Sequence, residues 1–295
     1  MEGSSHPPAY TRRHVLQRLA AGVVGSALLP SLTRAGAVPA PCDVATGRRI
    51  DRIGLQLYTV RRALAKDLDG TIAAVAAAGI TELEFAGYYD KSPAWWSETM
   101  TRHGLTAPAT HEALPATDDG WPAIVDRAKG MGHAIVIVPF VGNNYRGTRD
   151  NWMTLAERLN AGAQQAKAAG LEFAYHNHDF EFAPVDGTTG YDILTSQTDA
   201  SLVKLELDLY WAVKAGHDPL AIMKQHAGRV VCCHVKDAGP APERTMRDVG
   251  AGTIDFKTLL AAGRGYGLRH WFIEHDQPAD PLASVTASAA AMRMY

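Results

Sequence analysis

From residue 51 onward, short runs rich in β-branched, aromatic and alternating apolar residues are separated by longer Ala-rich stretches, and the pair recurs eight times. The strand-like runs cover residues 53–58, 82–86, 106–111, 134–140, 171–178, 203–210, 230–236 and 271–275. Helical stretches follow them with recognisable ends. Asp69 is placed to cap a helix over 71–78 that stops at Gly79, Asp218-Pro219 opens another with Pro in its first turn, and Asp255 starts a third that ends near Gly263. Strands alternating with helices imply parallel βαβ units. Eight units within residues 51–295 predict a closed (β/α)8 TIM barrel forming one domain, with an open doubly wound sheet as the competing arrangement. No internal linker, repeat or low-complexity tract interrupts the pattern after residue 50.

The two-residue period of a strand sorts its side chains into two faces. In Leu205-Glu206-Leu207-Asp208-Leu209 the leucines take the helix side, which directs Glu206 and Asp208 into the barrel. The same count directs His234 and Lys236 inward, and likewise Phe272 and Glu274, Ala174, His176 and His178, Ala109 and His111, and Gln56 and Tyr58. Polar groups therefore crowd the C-terminal strand ends, where barrels of this class carry their chemistry. Unpaired, such buried charges are costly, and a divalent cation would offset the cost. Mixed Asp, Glu and His donors suit Mn²⁺, Co²⁺, Mg²⁺ or Zn²⁺. Lys236, two residues beyond His234, is placed to contact an oxyanion or hydroxyl.

Composition narrows the partners. Lys+Arg at 29 against Asp+Glu at 31 gives a formal net charge of −2, which argues against nucleic acid and an anionic membrane surface. The three cysteines, Cys42, Cys232 and Cys233, are too few and too badly spaced for a disulfide framework, so free thiols are expected. Ahead of the barrel, Thr11-Arg12-Arg13-His14-Val15-Leu16-Gln17 precedes an apolar stretch at 19–29 and the small residues Ala35-Gly36-Ala37. This resembles a twin-arginine export signal, and the stretch falls short of the roughly 20 residues of a membrane-spanning helix. The expected organisation is a signal peptide over 1–37, a linker over 38–50 and a barrel over 51–295. A periplasmic or secreted protein follows, handled by the twin-arginine export machinery and without a stable membrane anchor. Without residues 1–37 the 295-residue chain keeps 258 residues, close to the roughly 250 of a single barrel.

Six phrases resemble a known family: Ile53-Gly54-Leu55-Gln56-Leu57-Tyr58-Thr59-Val60-Arg61, Tyr175-His176-Asn177-His178-Asp179-Phe180-Glu181-Phe182, Leu205-Glu206-Leu207-Asp208-Leu209-Tyr210-Trp211, His234-Val235-Lys236-Asp237, Val249-Gly250-Ala251-Gly252-Thr253-Ile254-Asp255-Phe256 and Ile273-Glu274-His275-Asp276. In this order they resemble the sugar phosphate isomerase/epimerase family of xylose isomerase-like TIM barrels, in a branch that often carries an export signal. The resemblance implies one divalent metal ion, with Mn²⁺ or Co²⁺ favoured, held by Glu, Asp, His and Glu from the fifth to eighth strands. Asp208, His234 and Glu274 match the last three ligands. Where many relatives have Glu-Asn-His this chain has His176-Asn177-His178, so Glu181 of the shared Phe-Glu-Phe segment is the preferred fourth ligand and His176 the alternative.

The implied chemistry is proton abstraction next to a carbonyl, through a metal-stabilised enediolate, in an isomerase or epimerase. His111, His178 or a ligand carboxylate with a free oxygen would act as base, with Lys236 as a further catalytic group. Gln56, Tyr58, Glu206 and Trp211 would meet the substrate, and Trp95 or Trp96 could add a flat face. The alternative is a lyase or dehydratase that eliminates a β-substituent from a 3-keto-glycoside or an inosose. An export signal and the lack of a Gly-rich phosphate loop favour an unphosphorylated sugar. A non-catalytic sugar-binding barrel and a metal-dependent endonuclease are the remaining readings, and a homo-oligomer is possible.

Overall fold

Eight parallel strands close into a barrel in the computed structural model, which describes residues 50 and 52–295. The expected export segment 1–37, most of the linker and Cys42 lie outside the described residues. The strands are β1 (Gly54–Gln56), β2 (Glu82–Phe85), β3 (Thr106–His111), β4 (Ile135–Val138), β5 (Glu172–His176), β6 (Val203–Asp208), β7 (Val230–Val235) and β8 (His270–Ile273). Each pairs with its sequence neighbours, and β8 closes on β1 through Gly54↔Phe272 and Leu55↔Ile273. The open doubly wound alternative is thereby excluded.

One principal helix follows each strand: α1 (Leu68–Ala77), α2 (Pro93–His103), α3 (Trp121–Gly130), α4 (Arg149–Ala168), α5 (Gly190–Gln197), α6 (Pro219–Gln225), α7 (Phe256–Gly265) and α8 (Pro281–Met292). Asp218 and Asp255 cap α6 and α7 as their positions predict, accepting from the backbone N–H of Leu220 and Thr258. At α1 the cap is Asp67 rather than Asp69. Asp67 has the extended backbone a cap requires and accepts from Gly70 N–H, whereas Asp69 already lies in the first turn and faces Arg102 at 3.4 Å. No helix among the described residues is long and apolar enough to cross a membrane.

The leucines of β6 pack outward with Val235, Ile273 and the helices in one large core, and a second core lies between α3, α4 and β5. Inside the barrel, Ala109, Ile135, Ile137, Ala174, Cys232 and Phe272 form a buried apolar floor. Cys232 and Cys233 are both buried free thiols, one in the floor and the other in the outer core. Above the floor the inward side chains turn ionisable. Two register shifts fall at this level, between Glu82 and Glu84 of β2 and between Leu205 and Glu206 of β6. In both, the extra residue belongs to the neighbouring strand, β3 or β7, where such an irregularity bends the chain beside Glu84 and Glu206.

Candidate metal centre

Strand parity brings Asp208, His234, Lys236 and Glu274 together at the C-terminal ends of β6, β7 and β8, all of them buried. His234 Nδ1 lies 2.7 Å from Glu274 Oε2 and 3.8 Å from Asp208 Oδ2. Lys236 Nζ lies 2.9 Å from Asp208 Oδ2, 2.6 Å from Glu274 Oε2 and 2.8 Å from Asp276 Oδ1. His176, at the end of β5, brings its Nε2 to 3.7 Å from Asp208 Oδ2. Asp208 Oδ1 accepts from Trp211 N–H, capping the short helix Leu209–Lys214.

One layer deeper, Glu206 Oε2 faces three imidazoles: His111 Nε2 at 2.8 Å, His176 Nδ1 at 3.1 Å and His234 Nε2 at 3.3 Å. Glu206, expected at the substrate, is instead enclosed by these rings. Beside it Glu84 Oε2 lies 2.6 Å from His234 Nε2 and 3.2 Å from His111 Nε2, and accepts from Gln56 Nε2 at 2.7 Å. Glu84 is absent from the expected site, yet the period that sorted β6 applies to Glu82-Leu83-Glu84-Phe85 equally well.

The other expected residues are placed variously, some beside this cluster and some apart from it. Glu181 is buried in the loop after β5, where Oε1 accepts from Tyr175 OH at 2.7 Å and Oε2 from His178 N–H at 2.8 Å. Gln56 is engaged at both ends, since its Oε1 accepts from Tyr58 N–H. That bond turns the chain into a 3-10 helix at Leu57, and Tyr58 leaves the strand as a 43% exposed residue with the Arg61 guanidinium over its ring. Trp96 is buried and donates to Tyr88 O, with Trp95 packed edge-on against it. His178 and Trp211 are half-buried neighbours at the mouth, ring centroids 5.6 Å apart.

The electrostatics follow from burial and from which charges meet. Burial raises the Asp208 carboxyl to about 6 despite Lys236 and His234. It raises Glu84 to about 7, with the neighbouring Glu206 charge adding to the rise. Burial also works against charge on Glu274, but Lys236 and His234 outweigh it and hold the carboxyl well below its ordinary value. His234 is held well above its ordinary value because Glu206, Glu274 and Glu84 overcome its burial. His111 is likewise raised, by Glu84 and Glu206 against burial. His178 goes the other way: burial, then the Lys236 charge, lower it to about 3, so its imidazole is neutral at any ordinary pH.

These residues fit a divalent cation. Asp208 Oδ2 and His234 Nδ1 are buried without a well-aligned hydrogen bond, although charged groups lie close to both. Asp208, His234 and Glu274 can each direct one donor atom to a common point, as can His111, His176, Glu206 and His234. Loading such a site displaces protons. With His234 charged at neutral pH and Asp208 titrating at about 6, apparent ion affinity is expected to fall about tenfold per pH unit on acidification from neutrality, and about a hundredfold per unit below pH 6. Isothermal titration with Zn²⁺ or Co²⁺ at stepped pH checks this; affinity flat between pH 5 and 7 contradicts it.

Comparison with known proteins follows the fold. A family model described as xylose isomerase-like TIM barrel matches residues 61–294. An inosose dehydratase of Geobacillus thermodenitrificans is 24% identical over 260 residues, which span 76% of this chain and 87% of that protein. A sugar phosphate isomerase/epimerase from Parabacteroides distasonis superposes with a TM-score of 0.73 at 23% identity, covering 87% of this chain and 98% of that one. The structure of an IOLI protein with a bound zinc atom superposes with a TM-score of 0.64 at 16% identity, covering 81% and 96%.

Proposed function

Since the chain belongs to the xylose isomerase-like TIM barrel family, we propose that it is a divalent-metal-dependent enzyme that removes a proton next to the carbonyl of an unphosphorylated keto-sugar or inosose. The observation that carries this reading is the convergence of buried donor atoms on Asp208, His234 and Glu274, with the charged Lys236 alongside. Asp208, His234 and Glu274 would hold the ion, which when bound supplies Lewis-acid polarisation of the carbonyl.

The remaining steps belong to side chains. A proton acceptor must be unprotonated and within reach of the C–H. His111 is biased toward its charged form by Glu84 and Glu206, whereas His178 is neutral and its Nδ1 has no partner. We assign the base to His178 on the ground of its unpartnered Nδ1 beside the cluster. Lys236, kept protonated by Asp208, Glu274 and Asp276 against its burial, donates to the oxygen that gains charge or leaves. Trp211, its indole N–H without a partner at the mouth, borders the substrate.

Elimination is the preferred outcome, supported by the similarity along most of both chains to a protein named inosose dehydratase. Where no leaving group stands β to the carbonyl, reprotonation gives isomerisation or epimerisation. The test is incubation with inososes, 3-keto-glycosides and ketoses in deuterated buffer containing Zn²⁺, Co²⁺ or Mn²⁺. The expected result is ion-dependent loss of the C–H signal next to the carbonyl, with an unsaturated ketone from the first two classes. Full turnover by chelator-treated, ion-free protein would sink the mechanism.

A further inference from the structure

The fourth donor is where this chain departs from the carboxylate-rich pattern it resembles. We infer that the ion-binding set consists of two imidazoles and two carboxylates, with His176 Nε2 joining Asp208, His234 and Glu274, and that Glu206 is the positioning residue that aims His176 and, with Glu84, His234. This rests on the metal-dependent reading above.

Donors to one ion at about 2.0–2.2 Å lie roughly 3–4 Å from each other. His176 Nε2 and His234 Nδ1 stand 3.7 and 3.8 Å from Asp208 Oδ2, and His234 Nδ1 lies 2.7 Å from Glu274 Oε2, so His176 approaches the Asp208, His234 and Glu274 set from the Asp208 side. Their other nitrogens both turn down to a single atom, Glu206 Oε2, at 3.1 and 3.3 Å. An imidazole that gives its N–H to a carboxylate presents a lone pair at the opposite nitrogen, which fixes both tautomer and ring direction. For His234 that carboxylate is first of all Glu84, whose Oε2 lies 2.6 Å from Nε2 with Glu206 Oε2 beside it, so Glu206 aims His176 directly and shares His234 with Glu84.

Glu181 is engaged elsewhere. Both its oxygens accept hydrogen bonds inside the protein, and turning it toward Asp208 would leave Tyr175 OH and His178 N–H unpaired. Exchanging a carboxylate for an imidazole removes one negative charge and adds a nitrogen donor. Imidazole suits Zn²⁺ and Co²⁺, whereas Mg²⁺ prefers oxygen. The site is accordingly selective for Zn²⁺ and Co²⁺ over Mg²⁺.

The test is Co²⁺ titration of chelator-treated full-length protein, followed by its visible absorption and by metal analysis, with melting of the ion-free variants as the folding control. Wild type is expected to take one Co²⁺ per chain and Glu181→Gln to bind within about threefold of it. His176→Ala is expected to lose at least a hundredfold in affinity, and Glu206→Gln about 10–100-fold. His176→Glu should restore binding with a shifted absorption band and a gain in Mg²⁺ and Mn²⁺ affinity, a change that a purely structural histidine would not produce. If Glu181→Gln loses the ion while His176→Ala keeps it, or if the band of His176→Glu is unmoved, the donor set is wrong although the metal-dependent reading stands. A wild type that takes up no ion overturns both.

Discussion

Asp208→Asn is expected to empty the metal centre and to lower kcat/KM by about 10³–10⁴, equivalent to about 4–5.5 kcal/mol of transition-state stabilisation. Asparagine is the informative replacement because Asp208 has two tasks. Its Oδ1 caps the helix Leu209–Lys214 through Trp211 N–H, and an amide oxygen caps as well as a carboxylate. Its Oδ2 faces His234, His176 and Lys236 and provides the negative charge that an amide lacks. The helix therefore survives while the site fails. Metal content and kcat/KM of the purified variant, read beside its melting temperature, separate the two tasks. A variant that retains both ion and rate would remove Asp208 from the mechanism.

Asp237→Ala is expected to destabilise the fold by about 3 kcal/mol, for it removes four hydrogen bonds to an acidic side chain. The Asp237 carboxylate gathers the backbone N–H groups of Ala238, Gly250, Gly252 and Ile254 at 2.8–3.1 Å, tying the loop after β7 to the strand end. Thr253 completes the tie by donating to Ala238 O from both its N–H and its hydroxyl. Gly252 has no room for a side chain, because a Cβ there would lie 2.3 Å from Asp237 Oδ1 and 2.4 Å from Ala238 O. For a barrel of this size the loss corresponds to about 6–12 °C in melting temperature. Thermal denaturation of the ion-free protein checks it, and an unchanged melting temperature would show that water replaces the carboxylate at no cost. Asp237 adjoins Lys236, so ion affinity should fall as well, by less than in Asp208→Asn.

Much of this architecture was legible because a barrel strand repeats every two residues. That period placed Glu206, Asp208, His234, Lys236 and Glu274 inside, and it would have placed Glu84 there had β2 been sorted like β6. It failed where strands end. Beyond Gln56 the side-chain cap on Tyr58 N–H turns the chain, and beyond His176 the chain bends so that Glu181 receives His178 N–H. Tyr58, His178 and Glu181 therefore lie in geometry that no strand rule describes. Depth was equally illegible: residues at i and i+2 share a face but not a layer, so Glu206 reads like Asp208 although it lies beneath the histidines. The shared Phe-Glu-Phe segment pointed to Glu181, and only its contacts with Tyr175 and His178 show how it is engaged.

The apolar floor beneath the ionisable layer bears on the exchange of the ion. Ala109, Ile135, Ile137, Ala174, Cys232 and Phe272 close the barrel from below, and the partly exposed His178 and Trp211 mark the open end. On the metal-dependent reading, an ion held above that floor lies beneath any substrate that enters from the open end, so saturating substrate is expected to slow its removal by a chelator.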